Sequence, residues 1–155
     1  MAKNSMTIAL EVKGLDEAIR KLKIYDSNSR LKIEGAIQQA GRNIRDNAKI
    51  RVPIRTGTLK RSIGSRFNGN KLQSTVKADY NKAPHAHLIE YGVSQTVIRP
   101  KTKKVLKFTA GGSVQFVRKE VILPARKARP FMNPAFQSEK PKVEADIKNI
   151  LKEMP

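Results

Sequence analysis

The first residues of the chain alternate between apolar and polar side chains. Met6, Ile8, Leu10 and Val12 are separated by single residues. This period of two is typical of a half-buried β-strand. The strand is expected to end at Gly14.

Two helices are predicted after this strand. The segment Leu15–Lys23 has apolar residues at helical spacing and acids in its first turn, where the helix dipole favours them. A longer helix begins among the candidate N-caps Asp26–Ser29 and ends before Pro53, because the residue preceding a proline is pushed out of the helical region. Gly35 and Gly41 in this helix mark either close packing or tolerated glycines. The predicted core stripe is Ile33, Ile37, Ala40, Ile44 and Ala48.

Beyond Pro53 the pattern changes to short apolar runs. Leu59–Phe67 and Leu72–Asp79 are predicted strands, joined by the turn-forming sequence Asn68-Gly69-Asn70. Pro84–Tyr91 is compatible with a short helix.

The last third of the chain combines apolar and basic residues. Val97–Phe108 and Val114–Leu123 are predicted strands of a long basic hairpin that turns at Ala110–Ser113. Pro130–Gln137 is a compact turn or short helix, and a final amphipathic helix starts at Pro141. Its apolar face would consist of Val143, Ile147, Ile150 and Met154.

The order of these elements predicts an α+β fold. We expect a small mixed or antiparallel sheet packed against the long helix, with the basic hairpin and a C-terminal helix added. The length of 155 residues favours one domain over residues 1–155, with a hairpin extension over about 93–127.

Composition narrows the classes of function. The chain has 32 Lys and Arg against 13 Asp and Glu, a net charge of +19 that indicates a polyanionic or acidic partner. No cysteine is present, which excludes disulfides, thiolate metal sites and cysteine nucleophiles. Neither a membrane-spanning run nor a leader-like apolar stretch occurs, so we expect no membrane partner and synthesis in a cytoplasm.

The excess charge is concentrated in two segments. Arg42–Lys77 has ten basic residues against one acid, and Gly92–Gln137 has ten against one. Such asymmetry is what a phosphate-facing surface requires, although a solvated face or a complement to acidic proteins would look the same. Few aromatic residues accompany the charge, which favours electrostatic contact over sequence reading. The candidate DNA-facing or partner-gripping residues are Arg99, Lys101, Lys103, Lys104, Lys107, Arg118, Lys119, Arg126 and Lys127.

Catalytic and metal chemistry find little support. His85 and His87, followed by Glu90, form the one grouping that resembles a metal site, but such residues are more often ordinary surface side chains. Both histidines lie in one loop, and no paired carboxylates or phosphate-binding glycine loop stands out. We therefore expect a non-enzymatic protein with no metal and no cofactor.

Four segments, taken in order, resemble one family. They are Gly14–Glu17 (GLDE), Pro53–Ile63 (PIRTGTLKRSI), His87–Gly92 (HLIEYG) and Ala128–Ala135 (ARPFMNPA). The chain resembles the small tail-completion, or head–tail joining, proteins of long-tailed bacteriophages. Members of that family typically have a GLDE-like helix start, a long helix ending at P-x-x-T-G-x-L, then E-Y/F-G and R-P-F-x-x-P-A.

The resemblance implies a structural virion protein that forms a homo-oligomeric ring at the neck, completing the tail and joining it to the head. Its partners would be itself, adjacent neck and tail proteins, and genomic DNA in the lumen without sequence specificity. A tail terminator that caps the tube and a free-standing nucleic-acid-binding protein are the alternatives. The segment from Val93 to Lys127 is long compared with the compact version of the family. It could reach the lumen or grip an adjacent ring.

The resembling segments also supply candidate interface residues. In these turns a carboxylate at Glu90 could pair with Arg55 or Arg129, and Phe131 would be an aromatic anchor between two prolines. The fold itself would need the same turns, so a purely structural role is the alternative. The full set is Pro53, Arg55, Thr56, Gly57, Leu59, Glu90, Tyr91, Gly92, Arg129, Pro130, Phe131 and Pro134.

Overall fold

A computed structural model describes residues 6–10, 27–100, 105–110, 112–117 and 120–153. The predicted helix at Leu15–Lys23 lies outside the described residues, as does Met154. None of the helices in the described part combines the length and apolarity that crossing a bilayer requires.

The elements confirm an α+β fold. In chain order they are β1 (Thr7–Leu10), α1 (Ser27–Arg51), α2 (Thr58–Ser62), β2 (Ile63–Asn68), β3 (Gln73–Ala78), α3 (Ala86–Tyr91), β4 (Thr96–Ile98), β5 (Leu106–Ala110), β6 (Ser113–Val117), β7 (Val121–Leu123) and α4 (Met132–Lys152). Strands β1, β3 and β2 form an antiparallel sheet in that spatial order.

The core lies between this sheet and the two long helices. Helix α1 packs against α4, β2 and β3, and α4 also contacts β1. The predicted stripe of α1 is confirmed, since all five of its members are buried. On the sheet, Ile63, Val76 and Ala78 face the helices, whereas Gly64, Arg66 and Lys77 face solvent.

The two glycines of α1 differ in their surroundings. A Cβ at Gly41 would lie 1.8 Å from the Ser74 hydroxyl oxygen, so the glycine lets α1 approach β3 closely. A Cβ at Gly35 would meet nothing within 4 Å. The prediction of close packing is therefore confirmed for Gly41, whereas Gly35 is a tolerated glycine.

The prediction of a strand starting at Leu59 was wrong. Thr58–Ser62 is a helical turn, which follows Gly57 in the left-handed region at φ 72°. Leu59 and Ser62 are buried at helical spacing, and the strand begins only at Ile63. The predicted turn at Asn68 is a short 3₁₀-helix, Gly69–Lys71, in which the Asn68 side chain accepts hydrogen bonds from two following amides.

The C-terminal helix begins earlier than predicted. It starts at Met132 and runs through Pro141, so the Pro130–Gln137 segment is mostly part of it. A proline in the first turn lacks an N–H that would have no helical partner there, which makes Pro134 compatible with an early start. Pro141 removes one hydrogen bond within the helix and is exposed to solvent.

The described residues between Gly92 and Arg129 include two short strand pairs, and the inner pair turns between Ala110 and Ser113, where the sequence predicts the turn. β4 pairs with β7, and β5 pairs with β6, both antiparallel. Seven residues separate Ile98 from Leu106, whereas three separate Val117 from Val121. The two pairs are separate two-stranded sheets, so the long hairpin predicted for this stretch is not confirmed. We call residues 94–125 the arm.

Candidate assembly interface

The side chain of Glu90 joins the end of α3 to the start of α4. Its Oε2 accepts hydrogen bonds from the amides of Phe131 and Met132 at 2.8 and 3.0 Å, and its Oε1 accepts one from Asn133 at 2.8 Å. Glu90 is 3% exposed. No side chain within the first residues of α4 caps the helix. The carboxylate therefore satisfies three amides at the positive end of the helix dipole.

Backbone contacts close the same junction. The amide of Arg129 donates to the carbonyl of Ile89 at 2.8 Å. Val93 and Arg126 exchange both of their backbone hydrogen bonds at 2.9 and 2.8 Å. We call this cluster, from Ile89 to Val93 and from Arg126 to Asn133, the arm base.

Gly92 is required by the close approach at the arm base. It has φ 75°, and a Cβ there would lie 2.7 Å from the Ala128 amide nitrogen and 2.8 Å from the Arg126 carbonyl oxygen. The arm base therefore requires glycine at this position for two reasons, its positive φ and its lack of a side chain.

The structure brings the E-Y-G and R-P-F segments together but corrects the pairing expected for Glu90. Among the described residues its hydrogen-bond partners are backbone amides, not Arg55 or Arg129. Phe131 is fully buried as a core residue, and Pro134 lies in the first turn of α4. Tyr91 is 73% exposed, and Arg129 and Pro130 are also exposed.

The other predicted residues lie at the connection between α1 and α2. Gly57 begins α2, and Leu59 is buried in the core. The Arg61 guanidinium donates to the Thr56 carbonyl at 3.3 Å and to the Thr58 hydroxyl at 3.5 Å. Pro53 is half-buried, whereas Arg55 and Thr56 are exposed. No hydrogen bond between described side chains links this connection to the arm base.

The predicted basic residues are distributed along the arm and its base. Arg99 forms an ion pair with Glu120 at 2.8 Å, and the Lys107 ammonium lies 6.0 Å from the centre of the Phe116 ring. Arg126 and Lys127 are exposed at the arm base. Lys101, Lys103, Lys104, Arg118 and Lys119 lie outside the described residues.

The sequence prediction missed the apolar surface of the arm. Val97 and Ile98 are consecutive strand residues on opposite faces, and both are more than 40% exposed. Exposed apolar side chains occur in both strand pairs. They are Val97 (43%), Ile98 (41%), Val114 (52%), Phe116 (66%), Ile122 (56%) and Leu123 (43%). The sequence did contain a signal for this surface: consecutive apolar residues in a short strand place apolar side chains on both of its faces.

Titratable groups supply little that would suit a reaction. His85 is exposed at the start of α3, and the Glu90 carboxylate already accepts hydrogen bonds from backbone amides. In the described ranges, no three His, Asp or Glu residues are grouped so that they could hold a metal ion. Asp46 has a lowered pKa because Arg45 hydrogen-bonds to it, and this pairing neutralises the one acid of the basic segment Arg42–Lys77.

Comparison with known proteins identifies the family. The model of the family described as Bacteriophage HK97-gp10, putative tail-component, matches residues 16–92. The chain is a member of this family. The match includes α1, the P-I-R-T-G-T-L segment and the E-Y-G segment, and it ends at Gly92 in the arm base. No curated protein and no solved structure matches the chain.

The family match confirms the resemblance to phage tail proteins. The chain is a structural component of a phage tail, and the virion is its location. The R-P-F segment lies beyond the matched residues but contacts them through Glu90.

Proposed function

We propose that the chain forms a homo-oligomeric ring at the head–tail interface, where it completes the tail and joins it to the head. In this proposal the protein assembles in the host cytoplasm, acts as one domain over residues 1–155, and contacts adjacent neck and tail proteins. The observation that supports it is the exposed apolar surface of the arm.

This surface is costly for an isolated protomer. Burying a Val, Ile, Leu or Phe side chain fully is worth about 1.5–3 kcal/mol. The six arm residues are about half exposed, so covering them would contribute about 6 kcal/mol per arm. Exposed apolar area of this kind is typical of interaction surfaces.

The backbone of the arm supports the same proposal. Within the described residues, each arm strand pairs along one edge only. A two-stranded pair is marginally stable alone in water, and a free strand edge can accept a strand from another chain. A neighbouring subunit would supply both the missing strand contacts and the apolar cover.

The candidate interface residues divide by exposure. Glu90, Leu59 and Phe131 are buried, so their part in assembly is to shape the surface. Tyr91, which directly follows Glu90, is 73% exposed, and Ile54 is 66% exposed, so both are available for direct contact with a neighbour.

Removing the arm tests the proposal. Because Val93 and Arg126 are a hydrogen-bonded pair, residues 94–125 can be replaced by Asn-Gly, which forms a two-residue hairpin turn. We expect a folded protein that stays monomeric in sedimentation, whereas the full chain forms rings. In phage assembly, the shortened chain should give filled heads and separate tails of normal length.

A matched pair of point variants controls for general loss of apolar surface. Phe116→Ser on the arm should weaken assembly, and Leu31→Ser on α1, with the same kind of exposed side chain, should not. Rings formed without the arm would contradict the proposal. Tails of abnormal length would instead favour the tail-terminator alternative.

A further inference from the structure

The solvent-facing side of the three-stranded sheet contains a basic groove. It is an open depression of about 490 Å³ along β2 and β3. Within the described ranges, four cationic residues and one acid, Asp79, line it. The cations are Arg61, Arg66, Lys77 and Lys82. We call this surface the basic groove.

Strand register sets the floor of the groove. Gly64 lies opposite Lys77, and Arg66 lies opposite Thr75, all on the outer face. A Cβ at Gly64 would meet nothing within 4 Å, so the floor between the basic side chains is flat and open. Arg66 and Lys77 are diagonal neighbours on this face, about 7–8 Å apart.

Two cationic side chains of the groove are available to bind an external anion. No hydrogen bond or ion pair within the described residues engages the side chains of Arg66 and Lys77. Asp79 is already used, since one of its oxygens accepts from the Asn81 amide and the other lies 4.0 Å from Lys82. Arg61 is held at the rim by Thr56 and leaves part of its guanidinium available.

We infer that the basic groove binds the phosphate backbone of duplex nucleic acid without reading its sequence. Interfaces with nucleic acid are polar and strongly positive, whereas the centre of a protein–protein interface is depleted of charge and rich in apolar and aromatic groups. In the part of the chain that the structure describes, none of the exposed large apolar residues lines the groove. An acidic protein partner therefore fits this surface less well than phosphates do.

The same lining favours a duplex over a single strand. Proteins that hold single strands generally stack bases on aromatic side chains. Its described lining residues include no aromatic side chain, but they offer the hydroxyls of Ser62 and Thr75 beside the cations. Arginine, lysine and hydroxyl groups are the usual contacts to backbone phosphates.

This inference goes beyond the proposed ring and relocates the contact with DNA. The arm residues Arg99 and Lys107 are engaged with Glu120 and Phe116. The arm is also the apolar surface suited to protein contacts. The inference thus assigns DNA binding and assembly to different surfaces, and the two are tested by different measurements.

The test measures binding of the full-length protein to a short mixed-sequence duplex by fluorescence anisotropy over a range of salt concentrations. The groove variant combines Arg66→Gln and Lys77→Gln. Log affinity falls with log salt, and each lost phosphate contact makes that slope shallower by about 0.9. The slope of the groove variant should therefore be shallower than that of the wild type by about 1.8. A charge-matched control combines Lys148→Gln and Lys152→Gln on α4, both exposed, and should keep the wild-type slope.

Every other result overturns the inference. An equal loss in the control would mean that binding reflects net charge alone. A loss in an arm variant, Arg99→Gln with Lys107→Gln, but not in the groove variant would place DNA on the arm. Stronger binding to a single strand or to poly-glutamate than to the duplex would identify another ligand. Sedimentation of the groove variant should still show the assembly of the wild type. A failure of the DNA-binding inference can therefore be distinguished from a failure of the proposed ring.

Discussion

Replacing Glu90 by alanine tests whether its carboxylate holds the arm base together. The change leaves three amides at the start of α4 without an acceptor. Phe131 and Met132 are buried residues, and a buried amide that loses its partner costs about 1–3 kcal/mol. The third amide is partly exposed and behaves like an ordinary N-cap contact, worth about 0.5–1 kcal/mol.

These contributions predict that Glu90→Ala lowers the free energy of unfolding by about 4 kcal/mol. Glu90→Gln keeps one acceptor oxygen in place and should cost about half as much, about 2 kcal/mol. Typical domains have only about 5–15 kcal/mol in total, so Glu90→Ala removes a large share of the stability.

Urea unfolding followed by circular dichroism measures these changes, with hydrogen exchange of the amides at residues 131–133 as a local readout. Glu34→Ala is the matched control, because Glu34 forms an exposed ion pair with Arg30 on α1. Such a pair is worth about 0.3–0.5 kcal/mol. If Glu90→Ala costs no more than Glu34→Ala, and exchange at residues 131–133 is unchanged, the capping role is refuted.

Two further predictions concern glycines. Gly41→Ala should be destabilising because its Cβ would meet the Ser74 hydroxyl at 1.8 Å, whereas Gly35→Ala on the same helix should gain up to about 1 kcal/mol. Thermal melting compares the two, and adding Ser74→Gly should recover part of the loss at Gly41; a Gly41→Ala melt equal to that of Gly35→Ala would contradict the close approach. Gly92→Ala should cost about 1–3 kcal/mol in backbone strain alone, and more from its contact with Ala128. Urea unfolding measures it, and an unchanged midpoint would show that the arm base does not need the glycine.

Local patterns were sufficient to predict the helices that pack in the core. The stripe of α1 repeats at helical spacing, and that spacing alone determines which residues face the sheet. The start of α4 was not predictable in this way. Its cap is Glu90, which lies 41 residues before Phe131, and the sequence between them forms the arm.

Charge could be counted from the sequence but not assigned to a surface. The basic segment Arg42–Lys77 contributes Arg61, Arg66 and Lys77 to the groove, and Lys82 joins them from a turn after β3. Alternation along a strand decides which basic side chains share a face, and it requires knowing where each strand begins. Because β2 begins at Ile63 rather than Leu59, the sequence prediction gave Arg61 the wrong backbone conformation.

The position of the arm explains how the family core can carry an added surface. Val93 and Arg126 exchange both backbone hydrogen bonds, so the chain leaves and re-enters the core at neighbouring positions. The cost of closing a loop rises only slowly with its length. Arms of different lengths can therefore be carried on the same core without altering α1, the sheet or the Glu90 cap. We accordingly expect the contacts that choose an assembly partner to lie on the arm, beyond the matched residues 16–92.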